Sequence, residues 1–110
     1  MIPINVEPVN FNVSQDLIQN MRKMFEGLNK YNDMAVNADL YLKSHNETPE
    51  GKKEVSIRVN MPGKDIFIAK EAGDFTSAAQ ELHDALRTAL RKHKEMHKDR
   101  RQNVPGKDLF

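Results

Sequence analysis

The chain has 110 residues, 38% of them hydrophobic and 30% charged, with a formal net charge of +1 and no cysteine. That length gives room for one domain around one core and excludes a second. The absence of cysteine excludes disulfides and thiolate chemistry, and with no apolar run near the ~20 residues of a bilayer span and no signal-peptide pattern at the N-terminus, we expect a cytoplasmic protein without membrane contact.

Near the start, Ile4 and Val6 alternate with Asn5 and Glu7 before Pro8. This predicts a short strand that proline either ends or confines to a sheet edge. Ser14 is a good N-cap, Asp16 suits the positive end of a helix dipole, and Leu17, Met21, Met24, Phe25 and Leu28 recur at helical spacing. A helix is therefore expected, fading between Gly27 and Tyr31. Val36, Ala38, Leu40 and Leu42 then alternate with Asn37, Asp39, Tyr41 and Lys43, which is the period of a strand with one apolar face. Ser44 to Lys53 is polar and turn-forming throughout and reads as a solvated hairpin loop. In the next strand Val55, Ile57, Val59 and Met61 face one way, with Glu54, Ser56, Arg58 and Asn60 facing the other. Pro62 and Gly63 make a turn, and Ile66 and Ile68 are the inward residues of a fourth strand that turns Phe67 outward.

A long final helix begins at Asp74, with Asp74 or Thr76 as its cap, and its apolar stripe is Phe75, Ala79, Leu82, Leu86, Leu90 and His93. Run from 74 to 98 it would be about 37 Å long, against about 26 Å for an eight-residue strand, so its end should overhang the sheet by roughly two turns. With one apolar face per strand and one apolar stripe per helix, both helices are expected on the same side of a four-stranded mixed sheet, in an α+β domain of order βαβββα. The opposite sheet face is left open.

Charge is distributed unevenly along this chain. Residues 1–86 hold nine Lys/Arg against thirteen Asp/Glu, whereas Arg87, Arg91, Lys92, Lys94, Lys98, Arg100 and Arg101 face only Glu95 and Asp99 over the next stretch. These seven cations read equally as a solvated helix end that complements the dipole or, since they exceed what a helix C-terminus needs, as a surface for a polyanion such as an RNA backbone. Phosphate contacts of this kind position a protein without reading sequence. Tyr41, Lys43, Arg58 and Phe67 on the open face are secondary candidates for stacking on bases, against the plainer reading of cross-strand packing. His93 and His97 stand four apart, a spacing able to chelate zinc, but the sequence offers them no third ligand and both fall on the apolar side of the helix. No metal or cofactor is expected. Glycine-rich phosphate loops, nucleophile elbows and paired catalytic carboxylates are all missing from the sequence, so no enzyme activity and no small-molecule substrate are expected.

The segments Val9–Phe25, Val36–His45, Val55–Glu71 and Gly73–Glu95 resemble the ribosome hibernation promoting factors and ribosome-associated inhibitors, formerly sigma-factor modulation proteins. The last segment is the most specific: where that family has Asp, an apolar residue, usually Tyr, then Ala and later Leu and Lys-His-Lys, this chain has Asp74, Phe75, Thr76, Ala78, Leu90 and Lys92-His93-Lys94. Thr76 replaces the usual Tyr, Gln80 the usual acid, and Ile18 and Met24 occupy positions that are basic in many members; Arg22 and Lys23 are the cations available in the first helix. Longer members add a C-terminal dimerisation domain, so the resemblance is to a short form: a ribosome-binding domain over residues 1–101 and a flexible tail over 102–110. It implies binding to the small ribosomal subunit and its rRNA in the mRNA and tRNA channel, by a chain that is monomeric when free. The alternative is a general double-stranded-RNA-binding module, although such modules place their lysines at the start of the last helix rather than late in it. An acidic protein partner is a third possibility.

Overall fold

The computed structural model describes residues 2–9, 12–45 and 51–102, with side chains as far as Met96. The elements are β1 (Ile4–Val9), α1 (Gln15–Phe25), a 3-10 turn (Leu28–Lys30), β2 (Asn37–Ser44), β3 (Lys53–Asn60), β4 (Ile66–Ala72) and α2 (Phe75–Gln102). The order is βαβββα, as the periodicities predict. The strands lie in the spatial order β1-β2-β3-β4, with β1 parallel to β2 and the other neighbours antiparallel. Parallel pairing of the first two strands follows from the helix that connects them, since a tight hairpin joins only antiparallel neighbours. Pro8 lies within β1 opposite Leu42, and it is tolerated because β1 is an edge strand.

Each helix starts at a side-chain cap. The Ser14 hydroxyl accepts from the Leu17 N–H at 3.2 Å, and Asp74 rather than Thr76 caps α2, its carboxylate accepting from the Ser77 N–H at 2.7 Å. These bonds to Ser77 hold the Asp74 carboxyl below the usual carboxylate range. At the β3–β4 connection Gly63 has φ of 87°, a conformation costly for residues with a Cβ, and the Asp65 carboxylate accepts from the Met61 N–H.

Ile4, Val6, Ala38, Leu40, Leu42, Val55, Ile57 and Val59 form the sheet half of the core, and Met21, Phe25, Leu28, Ala78, Ala79, Leu82, Leu86 and Leu90 form the helical half. Both helices thus cover one face, α1 against β1 and α2 against β3 and β4. Each large side chain buried here contributes about 1.5–3 kcal/mol of transfer free energy. Two expectations change. Val36 is 58% exposed and precedes β2, while Ala35 is buried in its place, because the pleat that sets the alternation begins only at Asn37. Phe75 is half-buried, packed at the margin of the core with the Lys53 ammonium 5.9 Å from its ring centre. The middle of the loop after β2 and the tail from residue 103 lie outside the described residues.

Candidate nucleic-acid interface

Among the described side chains of α2 the last that is fully buried is Leu90, and the helix continues to Gln102. At about 1.5 Å per residue that leaves roughly 18 Å of helix past the core. Arg91, Lys92 and Lys94 are exposed on this stretch; the side chains of Lys98, Arg100 and Arg101, and that of His97, lie outside those described. Arg87, one turn before Leu90, is 40% exposed and reaches Asp84 at 3.3 Å. The helix runs four residues past the predicted end near 98, and this lengthens the overhang.

A single buried polar residue fixes where that overhang begins. Asn32, in the connection between α1 and β2, is fully buried. Its Nδ2 donates to the Leu90 carbonyl at 3.1 Å and lies 3.2 Å from His93 Nδ1, while its Oδ1 accepts from the Met34 N–H at 3.0 Å. The amide has both hydrogens and its oxygen in use, so its orientation is determined. His93 Nδ1 then acts as the acceptor, which places that ring's proton on Nε2 in its neutral form.

The same connection adds charge to the stripe. The Lys30 ammonium lies 5.1 Å and the Arg91 guanidinium 5.2 Å from the centre of the Tyr31 ring, so one aromatic side chain gathers a cation from the connection and another from α2. Tyr31 in turn meets His83 edge-on at 5.9 Å, and His83 also packs against Phe25. Burial holds the His83 imidazole below its ordinary pKa, with the positive charges of Arg87 and Lys30 acting in the same direction against the opposing pull of Asp84. Sequence reasoning passed over Lys30 and Tyr31. The available signal was a basic residue beside an aromatic one at the end of a helix, and it gains meaning only once α2 is placed beside it.

The remaining predicted cations are dispersed. Arg22 donates from Nε to the Ile4 carbonyl at 3.4 Å, toward the β1 edge. Met24 lines the cleft between the helices with Gln80, His83 and Asp84. Two residues apart on a helix means about 200°, so Arg22 points away from α2. Lys23 is exposed on α1. Arg58 lies on the opposite side of the sheet, stacked 5.7 Å from the Phe67 ring centre and 3.9 Å from Asp65. Because Arg58 and Phe67 are register partners, their contact is the cross-strand packing that the plainer reading anticipates. The structure thus groups Arg91 and Arg87 with Lys30, with Lys94 on the same arc of α2. Lys92 projects about 100° round the helix from Arg91, and Arg22 and Arg58 lie elsewhere.

A four-stranded sheet covered on one face by two helices, the second of which runs on past Leu90 with a series of basic residues, defines an α+β domain of order βαβββα. The chain belongs to the Sigma 54 modulation protein / S30EA ribosomal protein family, whose model matches residues 4–98. Its fold is shared by the N-terminal domain of Thermus thermophilus Protein Y, with a TM-score of 0.70 and 20% identity over 84% of this chain and 99% of that one. A ribosomal subunit interface protein from Coxiella burnetii is similar, with a TM-score of 0.73 and 22% identity over 86% of this chain and 99% of that one. Comparison with curated protein sequences gives no match. The family is one of ribosome-associated factors rather than enzymes. No helix among the described residues is long and apolar enough to cross a membrane.

Proposed function

We propose that this domain is a ribosome hibernation factor: it binds the small ribosomal subunit through its rRNA, occupies the channel used by mRNA and tRNA, and stores the ribosome inactive in the cytoplasm. The observation that carries this reading is the family match over residues 4–98. It is supported by the likeness to a protein described as a ribosomal subunit interface protein. The cations of α2 and Lys30 supply the chemistry such a role needs, since neutralising phosphates requires positive charge on a rigid support and no reaction. Their position late in the last helix speaks against the double-stranded-RNA module. A free monomer meets the subunit as a single wedge.

Co-sedimentation with purified small subunits tests this, comparing the native chain with the combined variant Arg87→Glu, Arg91→Glu and Lys94→Glu. The native chain is expected to pellet at low salt and the variant to remain in the supernatant. Affinity should fall steeply with salt, by roughly 0.7–0.9 log units per log unit of salt for each phosphate neutralised. If the native chain fails to pellet, ribosome binding is refuted; a footprint outside the decoding region retains RNA binding and rejects occupation of the channel.

A further inference from the structure

A second titratable cluster lies across the sheet from α2, near the end where that helix starts. Glu54 of β3 and Glu71 of β4 are register partners, and both are on the open face, out of step with the inward Val55 and Ile57. His45 follows the end of β2 and is tied to the hairpin by its N–H, which donates to the Lys52 carbonyl at 2.8 Å. Its Nε2 lies 2.9 Å from Glu54 Oε1 and 3.9 Å from Glu71 Oε2. One ligand atom from each of the three residues falls within 4.8 Å of the other two. The His45 and Glu54 side chains are only 18% and 27% exposed, while Glu71 is 50% exposed and retains freedom to adjust.

Like charges directly opposite each other on neighbouring strands destabilise a sheet, so the Glu54–Glu71 pair calls for a cation between them. An imidazolium meets that need in part. A metal ion meets it more fully, because it takes a lone pair from each of the three groups at once. Bonds of about 2.1 Å in tetrahedral geometry place neighbouring ligand atoms about 3.4 Å apart, and the two distances from His45 Nε2 lie on either side of that spacing. We propose that His45, Glu54 and Glu71 form a zinc-type divalent-cation site on the open face of the sheet, with solvent completing the coordination. One imidazole and two carboxylates suit a borderline ion such as Zn²⁺ better than Mg²⁺ or Ca²⁺, which favour all-oxygen shells. Lys43 is the register partner of Glu54 on its other side, and its positive charge opposes metal binding. The site would join β3 and β4 to the residue that follows β2, and it is independent of the ribosome reading.

Calorimetric titration of the untagged, metal-stripped chain with ZnCl₂ at pH 7.5 tests the site. One Zn²⁺ per chain is expected, with affinity lowered about tenfold or more by His45→Ala and by Glu71→Gln, since each removes a direct ligand. Lys43→Gln should raise it. His97→Ala, which breaks the helical His93/His97 pair, should leave it unchanged. NMR of the native chain supplies a readout that does not depend on any variant folding: Zn²⁺ should shift the His45 ring resonances and the Glu54 and Glu71 amides. The site is refuted if no Zn²⁺ binds, if binding survives His45→Ala undiminished, or if the shifts centre on α2.

Discussion

The two halves of α2 perform opposite tasks with one continuous backbone. From Phe75 to Leu90 the helix carries Ala78, Ala79, Leu82, Leu86 and Leu90, all fully buried, against the sheet. Past Leu90 the described side chains are charged or exposed except for half-buried His93, and even Met96 is 53% exposed. The first half obtains its stability from burial, whereas the second must remain helical largely through continuity with the first. Because nucleation is the costly step in helix formation, a packed half that is already helical lets the free half extend one residue at a time. The contrast teaches that the position of the cations is determined by packing in which they take little part.

This division can be tested by mutating each half. The largest effect on stability should come from Leu86→Ala, which removes a fully buried side chain from the centre of the core. It should cost about 2–5 kcal/mol in denaturant unfolding. A loss below 1 kcal/mol would mean that the packed half contributes far less than its burial implies. Asn32→Ala acts at the boundary between the halves. It removes the donor to Leu90 and His93 and the acceptor for Met34, and should cost about 1–3 kcal/mol. Amide exchange should accelerate more at Arg91–Met96 than at Leu82–Leu86; uniform acceleration would show that Asn32 does not organise the overhang.

Acidification probes the contact between α1 and α2. His83 is held below its ordinary pKa in the folded chain, chiefly by burial, so the unfolded chain binds a proton more readily. Its contribution to stability is therefore complete above the unfolded value of about 6.5 and is lost as pH falls through the folded value. Denaturant midpoints measured from pH 7.5 down to 5 should decline, and His83→Gln should flatten that decline. An unchanged slope in the variant would assign the acid sensitivity to other groups.

The sheet and both helices were legible in the sequence because their signals are periodic. Leu40 and Leu42 alternate with Tyr41 and Lys43, and Leu82, Leu86 and Leu90 repeat at helical steps, so the buried faces followed directly. Val36 misled because it has the parity of the strand without belonging to it. The free end of α2 was legible from its length and charge, but what surrounds it was not. Asn32 meets Leu90 and His93 across 58 and 61 residues of sequence, and no local pattern marks a polar residue that will be buried. The association of Lys30, Tyr31 and Arg91 is likewise a product of tertiary packing. Arg22 and Arg58 illustrate the converse: a positive charge is evident in sequence, whereas the surface to which it contributes depends on the fold. His45, Glu54 and Glu71 come together only through strand register, with His45 supplied from beyond the end of its strand.

The smallest expected effect on stability belongs to the free half, and it separates the two tasks most cleanly. Lys92 and Lys94 are exposed on α2 past Leu90, so Lys92→Gln with Lys94→Gln should change unfolding free energy by no more than about 0.5 kcal/mol. Glutamine is nearly as good a helix former as lysine, which leaves the backbone argument intact. Binding to small subunits should nevertheless weaken. If each lysine neutralises one phosphate, the slope of log affinity against log salt should become shallower by roughly 1.4–1.8. A variant with native stability and a shallower slope would show charge acting separately from packing. If instead the slope is unchanged while affinity falls, these lysines do not act by displacing counterions, and the polyanion contact must be sought at Arg87, Arg91 and Lys30.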